Sequence, residues 1–242
     1  MKRELTVLTV FVAAAFAVLV GLGTWQLQRL AWKEGLIAKI EARTQAEPVP
    51  LNAALKQWQN TGEVEYLRVR FSGSFLHRYE RHLFSVLKGE SGWHVITPLQ
   101  MPDGHIVMVD RGFVPMHLKA PEMRSSGEVE GMQSLVGLAR APGVKVYFTP
   151  DNNVKANEWF WRDLASMVAG VPESSSDRQL VPFFIELEQS PLPGGWPKGG
   201  VTRVELPNKH LQYAGTWFGL AGVLLVVYGV FVFGRIRRRS FT

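Results

Sequence analysis

Two apolar runs free of charge stand near the ends of the chain, at Leu5–Gly23 and Leu211–Gly234, and between them hydrophobic and polar residues alternate over short stretches. Each run is long enough, at 1.5 Å per helical residue, to cross a hydrocarbon core of roughly 30 Å. Lys2 and Arg3 precede the first run; Arg235, Arg237, Arg238 and Arg239 follow the second. The positive-inside bias puts both flanks in the cytoplasm. The first run exceeds the usual apolar core of a signal peptide, and no A-x-A cleavage site follows, so an uncleaved anchor is expected. The layout is then a cytoplasmic segment 1–4, a transmembrane helix 5–23, an extracytoplasmic domain 24–209, a second transmembrane helix 210–234 and a basic cytoplasmic tail 235–242. Trp25 suits the aromatic belt at the first membrane exit.

Small residues recur every three or four positions in both runs, as Ala13, Ala17 and Gly21, and as Gly215, Gly219 and Gly222. Such stripes let helix backbones approach closely, so they are expected to face each other. On a wheel of 100° per residue, His210, Tyr213, Ala214, Trp217, Ala221 and Tyr228 lie opposite the glycines. That face is expected to look outward, towards lipid, a protein or a flat cofactor.

The middle of the chain reads as mainly β with a few helices, an α+β domain. Leu30–Arg43 mixes apolar and charged residues at helical spacing and continues the first span until Pro48 and Pro50 break it. Tyr66–Phe75 alternates strictly: Leu67, Val69, Phe71 and Phe75 on one side, Arg68, Arg70, Ser72 and Ser74 on the other. Further strands are expected at His82–Leu87, Glu128–Ala139 and Val144–Thr149, and Val201–Leu206 is expected to return towards the membrane. Trp93–Leu99 and His105–Val109 flank a turn at Met101–Gly104 and read as a hairpin. Leu180–Glu188 contains Pro182, which points to an edge strand or a bulge. Trp161–Val168 is a short helix with Asp163 at its start, and Ser190–Gly200 is a loop.

Charge and composition narrow the functions. The net charge is +6, most of it at the two ends, so no basic face for nucleic acid remains between them. There is no cysteine, which excludes disulfides, thiolate metal sites and a cysteine nucleophile. The chain has no G-x-S-x-G, H-E-x-x-H, P-loop or Rossmann glycine pattern, so nothing marks it as an enzyme. His77, His82, His94, His105 and His117 show no compact ligand spacing. Asp110 and Arg111 are neighbours in a strand, point to opposite faces and are expected to pair with other residues.

His210 differs by its place at the mouth of the second apolar run, where a titratable, metal-capable side chain is a functional candidate. Neutral imidazole is a good iron ligand, and Tyr213 and Trp217 could wall a flat apolar slot for haem. An interfacial hydrogen bond would suit the same histidine.

Several stretches together resemble the Surfeit-locus-protein-one family of cytochrome c oxidase assembly factors. They are Gly23-x-Trp25-Gln26-x-x-Arg29-x-x-x-Lys33, Gly92-Trp93, Val109-Asp110-Arg111-Gly112-Phe113-Val114-Pro115, the set Asn157, Trp159, Trp161 and Asp163, and Asn208-x-His210-Leu211-x-Tyr213-Ala214-x-Thr216-Trp217-Phe218. Phe113 stands where the family usually has Trp, and Lys209 where Asn is frequent. The resemblance implies a two-span protein of the bacterial inner membrane, both termini cytoplasmic and the domain periplasmic. It implies a non-enzymatic role in assembling haem–copper cytochrome c oxidase, with haem a held by His210 and passed to the catalytic subunit. That subunit, haem a synthase and membrane lipid are the implied partners. Trp25, Gln26, Arg29 and Arg111 are candidate contacts to a haem propionate or an oxidase carboxylate; for Arg29 and Arg111 a structural role is the other reading. The alternative function is a membrane-anchored scaffold that stabilises oxidase subunits without binding haem.

Overall fold

A computed structural model describes residues 2–171, 180–188, 192–201 and 208–239. The first apolar run and the charged segment after it form one helix, α1 (Lys2–Gln45), and the last run forms α4 (His210–Arg239). Both are long and apolar enough to cross a membrane. The chain divides into two compact units: α1 up to Lys39 together with α4, and the domain that begins at Ile40.

Within the helical unit a seam with alternating steps of three and four holds α1 and α4 together. Buried and half-buried positions recur as Val12, Phe16, Leu19, Gly23, Gln26 and Leu30 on α1, and as His210, Ala214, Trp217, Ala221, Leu224 and Tyr228 on α4. This is the spacing of a coiled-coil seam. The helices run antiparallel. Thr9 Oγ1 lies 2.6 Å from the Tyr228 hydroxyl near one end, and Gln26 lies 2.7 Å from His210 near the other. Arg235 and Glu4 sit 3.8 Å apart beyond Thr9.

The expected orientation of both faces is therefore reversed. A Cβ added to Gly21, Gly215, Gly219 or Gly222 would meet nothing within 4 Å, and Ala13 and Ala17 are exposed. The face carrying His210, Ala214, Trp217, Ala221 and Tyr228 meets the partner helix instead. Close approach occurs at Gly23, where a Cβ would lie 2.7 Å from the Phe218 ring. A small-residue stripe permits packing but does not compel it. Here Ala214, Ala221 and Gly23 supply the room, and the larger seam residues fill the space between.

The second unit is built on strands β1 (Val49–Pro50), β2 (Arg68–Phe75), β3 (Arg81–Leu87), β4 (Glu90–Gln100), β5 (Ile106–Pro115), β6 (Gln133–Arg140), β7 (Glu158–Trp159) and β8 (Leu180–Leu187). Their order is β1-β2-β6-β8-β5-β4-β3-β7, and β2 also pairs with β4. Strands β2, β6, β8, β5 and β4 thus close a barrel. Val69, Phe71, Leu99, Val107, Val109, Phe183 and Ile185 belong to one core cluster. Met108, Ile96, Phe184 and Trp159 form a second cluster with Met167 of the short helix α3 (Leu164–Val168). Every residue of β5 is buried, which explains why Ile106–Val109 reads as an apolar run rather than an alternation.

The expected alternation of β2 and the hairpin through Met101–Gly104 both appear, and Asp163 caps α3 by accepting the Ser166 N–H. Two expectations need correction, one choice between alternatives is resolved and one helix is new. The strand sought at 128–139 starts only at Gln133, because Glu128 is drawn into a cluster of buried charge. Residues 144–149 form a turn that pairs with no strand among the described residues. Of the edge and the bulge expected at Pro182, the bulge appears: Pro182 falls at the register shift of β5 against β8, two residues before pairing with β6 begins at Phe184. The bulge removes the need for the amide that proline lacks. Helix α2 (Leu51–Thr61) was not anticipated; Trp58 packs against Phe183 with ring centroids 5.9 Å apart. Val201–Leu206 lies outside the described residues apart from Val201.

Two networks of buried charge complete the domain. Asp110 and Arg111 point to opposite faces of β5 and find separate partners, as expected. Asp110 accepts from His94 Nδ1 at 2.9 Å and from Arg162 at 3.3 Å. It is in register with Glu186 of β8, and Arg162 donates to both carboxylates, which offsets the repulsion between them. Burial alone would raise the Asp110 pKa, but His94 and Arg162 hold it below the usual carboxylate value. Burial likewise disfavours the His94 imidazolium, yet Asp110 prevails and its pKa lies above the ordinary value. On the other face Arg111 donates to the Gly127 carbonyl and to Glu128 at 3.3 Å. Arg124 donates to Glu128 at 2.9 Å and to Glu80. His77 Nδ1 lies 3.0 Å from Glu128. Burial pushes the Glu128 pKa up, but His77, Arg111 and Arg124 together hold it at about 2.

Replacing Gly23 with Leu is expected to disrupt the helix pair, whereas Gly219→Leu leaves it intact. Disulfide formation between Thr9→Cys and Tyr228→Cys, in an otherwise cysteine-free chain, reads the outcome. Glu128→Gln is expected to cost roughly 2 kcal/mol or more at neutral pH, because two buried guanidiniums lose a shared carboxylate. The folded pKa lies below the ordinary 4.5, so the stabilisation is complete above that value and is lost as pH falls towards about 2. Melting temperatures across that window should fall less steeply in the variant.

Candidate functional site

His210 is the first residue of α4, and Asn208 stands two positions before it. The Asn208 side chain accepts the His210 backbone N–H at 3.5 Å, a loose cap on the helix start. The imidazole is half-buried in the seam. Its Nδ1 lies 2.7 Å from Oε1 of Gln26, a residue 184 positions earlier. An amide oxygen only accepts, so Nδ1 carries the proton and Nε2 keeps its lone pair. Gln26 is itself buried, which keeps water from competing for that hydrogen bond. The two sequence motifs at the apolar runs thus meet in one contact.

This arrangement fits a metal-ligating histidine. Such residues usually donate one ring N–H to a fixed acceptor, which sets the tautomer and the ring orientation and leaves the other nitrogen for the metal. Among the described residues no group of three or more His, Asp or Glu could hold a metal ion by itself. A lone imidazole so oriented can supply one ligand to a group that brings its other donors with it, as a porphyrin does.

The remaining candidates separate. Tyr213 is exposed, while Trp217 is half-buried in the seam beyond Ala214, so they do not stand together as two free walls of a slot. Trp25 is exposed beside Gln26. Arg29 stacks its guanidinium on Trp32 at 3.9 Å, not on Trp25. Its exposure leaves it accessible to an anionic group. Arg111 is only 1% exposed, and its guanidinium is engaged by Gly127 and Glu128. It holds the fold together and presents no open face to a propionate, which is the structural reading of the two.

The sequence did not reveal the roles of Gln26 as a partner of His210 or of Glu80, Arg124 and Glu128 as partners around Arg111. Gln26 stood within a motif, so its importance was visible and its contact was not. Four of the other five histidines acquire carboxylate partners: His77 with Glu128, His82 with Glu80, His94 with Asp110 and His105 with Asp103. Such pairs orient rings within a fold and do not assemble a metal centre.

Comparison with known proteins covers both units. The sequence model of the SURF1 family matches residues 13–222. The chain is 40% identical to Surfeit locus protein 1 of Homo sapiens, across 83% of this chain and 69% of that protein. It is 37% identical to a SURF1-like protein of Monosiga brevicollis, across 86% and 81% of the two chains. A SURF1-like protein of Drosophila melanogaster is 32% identical across 91% and 76%. The matched span includes Gln26, the buried charge networks and His210, and on that extent of agreement the chain belongs to the SURF1 family.

Proposed function

We propose that this protein is an assembly factor for cytochrome c oxidase that holds haem a through His210 and delivers it to the catalytic subunit. Membership of the SURF1 family supports oxidase assembly. The hydrogen bond from His210 Nδ1 to Gln26 is the observation that carries haem binding. Haem a is cargo in this reading. It brings four porphyrin nitrogens and an open axial position on its iron, and the protein supplies one imidazole nitrogen.

The chain's own residues account for a hold that can be released. Gln26 fixes the proton on Nδ1 and aims the ring, so Nε2 is a competent ligand without further rearrangement. A single half-buried ligand retains less than a buried pair would, which suits transfer to a receiving subunit. Arg29 is an exposed cation three residues beyond Gln26 on α1 and serves a propionate; Trp25 and Tyr213 offer exposed aromatic surface. The two apolar helices anchor the protein in the bacterial inner membrane, with both termini cytoplasmic and the domain periplasmic. This placement keeps a poorly soluble cargo out of water. The oxidase catalytic subunit and haem a synthase are the corresponding partners, and no catalytic turnover is involved.

The protein would be produced with a haem a pathway, purified in mild detergent and compared by visible spectroscopy with two variants. His210→Ala is expected to lose or alter the haem spectrum. Gln26→Leu should retain haem about tenfold less well, the usual scale for removing a partner that orients a ligand. Wild type without haem, or His210→Ala with an unchanged spectrum, would overturn haem carriage and leave the scaffold alternative in its place.

A further inference from the structure

The loop at 144–149, expected as a strand, presents the most exposed aromatic pair of the described residues. Val144 is 84% exposed, Tyr147 93% and Phe148 92%. The display is ordered by local bonds. Thr149 donates its N–H to the Val146 carbonyl at 2.9 Å, a β-turn with Tyr147 and Phe148 at its two central positions. Their rings pack edge to face, 5.0 Å apart. Both ends of the loop are tied to the segment that carries Trp159. Gly143 donates its N–H to the Arg162 carbonyl at 2.9 Å, and the Asn152 side chain accepts the Phe160 N–H at 2.8 Å. The chain therefore spends backbone hydrogen bonds to hold apolar rings in water.

We propose that this turn is a docking tip that inserts Tyr147 and Phe148 into an apolar groove of a protein partner, the oxidase catalytic subunit. The identity of the partner rests on the function proposed above; the surface does not. Charge favours a protein groove over a bilayer. The one basic residue between Ala141 and Pro150 is Lys145, and it pairs with Asp151, so the tip is electrically neutral. A loop that binds lipid headgroups draws on unpaired cations. A fixed turn with two aromatic rings in a defined mutual geometry instead has the composition and preorganisation of an interface anchor. Tyr147 adds a hydroxyl that can find one polar partner at the groove's rim.

The test uses the full-length protein co-produced with the catalytic subunit, with the amount of subunit that copurifies as the readout. The double variant Tyr147→Ser with Phe148→Ser is expected to retain about tenfold less subunit, the scale of losing two interface anchors. Val86→Ser, which removes a different exposed apolar side chain, should retain the wild-type amount. Equal retention by the double variant would overturn this docking surface while leaving oxidase assembly standing. No retention by wild type would overturn both. A polarity-sensitive dye on Phe148→Cys addresses the lipid alternative. In neutral phosphatidylcholine proteoliposomes it should report water until the subunit is reconstituted beside it; a dye already buried without the subunit would assign the tip to the bilayer.

Discussion

The seam between α1 and α4 is the constraint on which the candidate site depends. Two helices that start and end the chain are held in one register by small residues at Gly23, Ala214 and Ala221 and by larger ones between them. That register puts Gln26 opposite His210. A slip of one residue along either helix would turn the imidazole by about 100° and remove its acceptor. The hydrogen bond lies at one end of the pair, while Thr9 and Tyr228 make a second polar contact near the other. Polar contacts placed at two depths specify register in a way that apolar packing alone does not.

The domain solves a different problem. Its barrel strands carry charge into places where water cannot reach. Arg111, Arg124, Glu80 and Asp110 are all nearly inaccessible. Each would be prohibitive alone, and each is matched. Arg162 serves both Asp110 and Glu186, and Glu128 serves both Arg111 and Arg124. The segments that supply these partners are irregular ones, the turns around 121–128 and the stretch before α3. Burial of the charges thus ties the least regular parts of the domain to its barrel. Arg162, whose side chain joins the Asp110 network, also accepts the Gly143 N–H through its carbonyl and so helps pin the base of the 143–152 loop, which leaves its aromatic tip free in solvent.

Much of this protein was legible in its sequence. Charge-free length and basic flanks gave two long helices, strict alternation gave β2, the Pro-Asp-Gly turn gave a hairpin, and Asp163 marked a helix start. Motif agreement gave the family and singled out Gln26 and His210. Each of these rests on a local rule: period, turn chemistry or residue type along one stretch of chain. Contacts between distant stretches escaped. Val144–Phe148 has the composition of a strand, but pairing requires a neighbour with free backbone groups, and none is offered there among the described residues. Pro182 suggested an edge or a bulge, and only the fold decided for the bulge, in a strand that gains its second neighbour from Phe184 onward.

The helix faces mark the boundary most sharply. The sequence determined which residues of α4 share a face, because 3.6 residues per turn fixes that arithmetic. Only the tertiary structure decided what that face meets. The glycine stripe and the His210 face were both chemically able to receive a partner helix, and the choice turned on how well two surfaces fill each other. Arg111 is a parallel case. Its strand and its direction followed from β periodicity, but its engagement with Gly127 and Glu128 depends on a turn that returns from later in the chain. Sequence sets what each side chain can do; the fold sets which opportunities remain open, because burial and a long-range partner are properties of the whole packed chain.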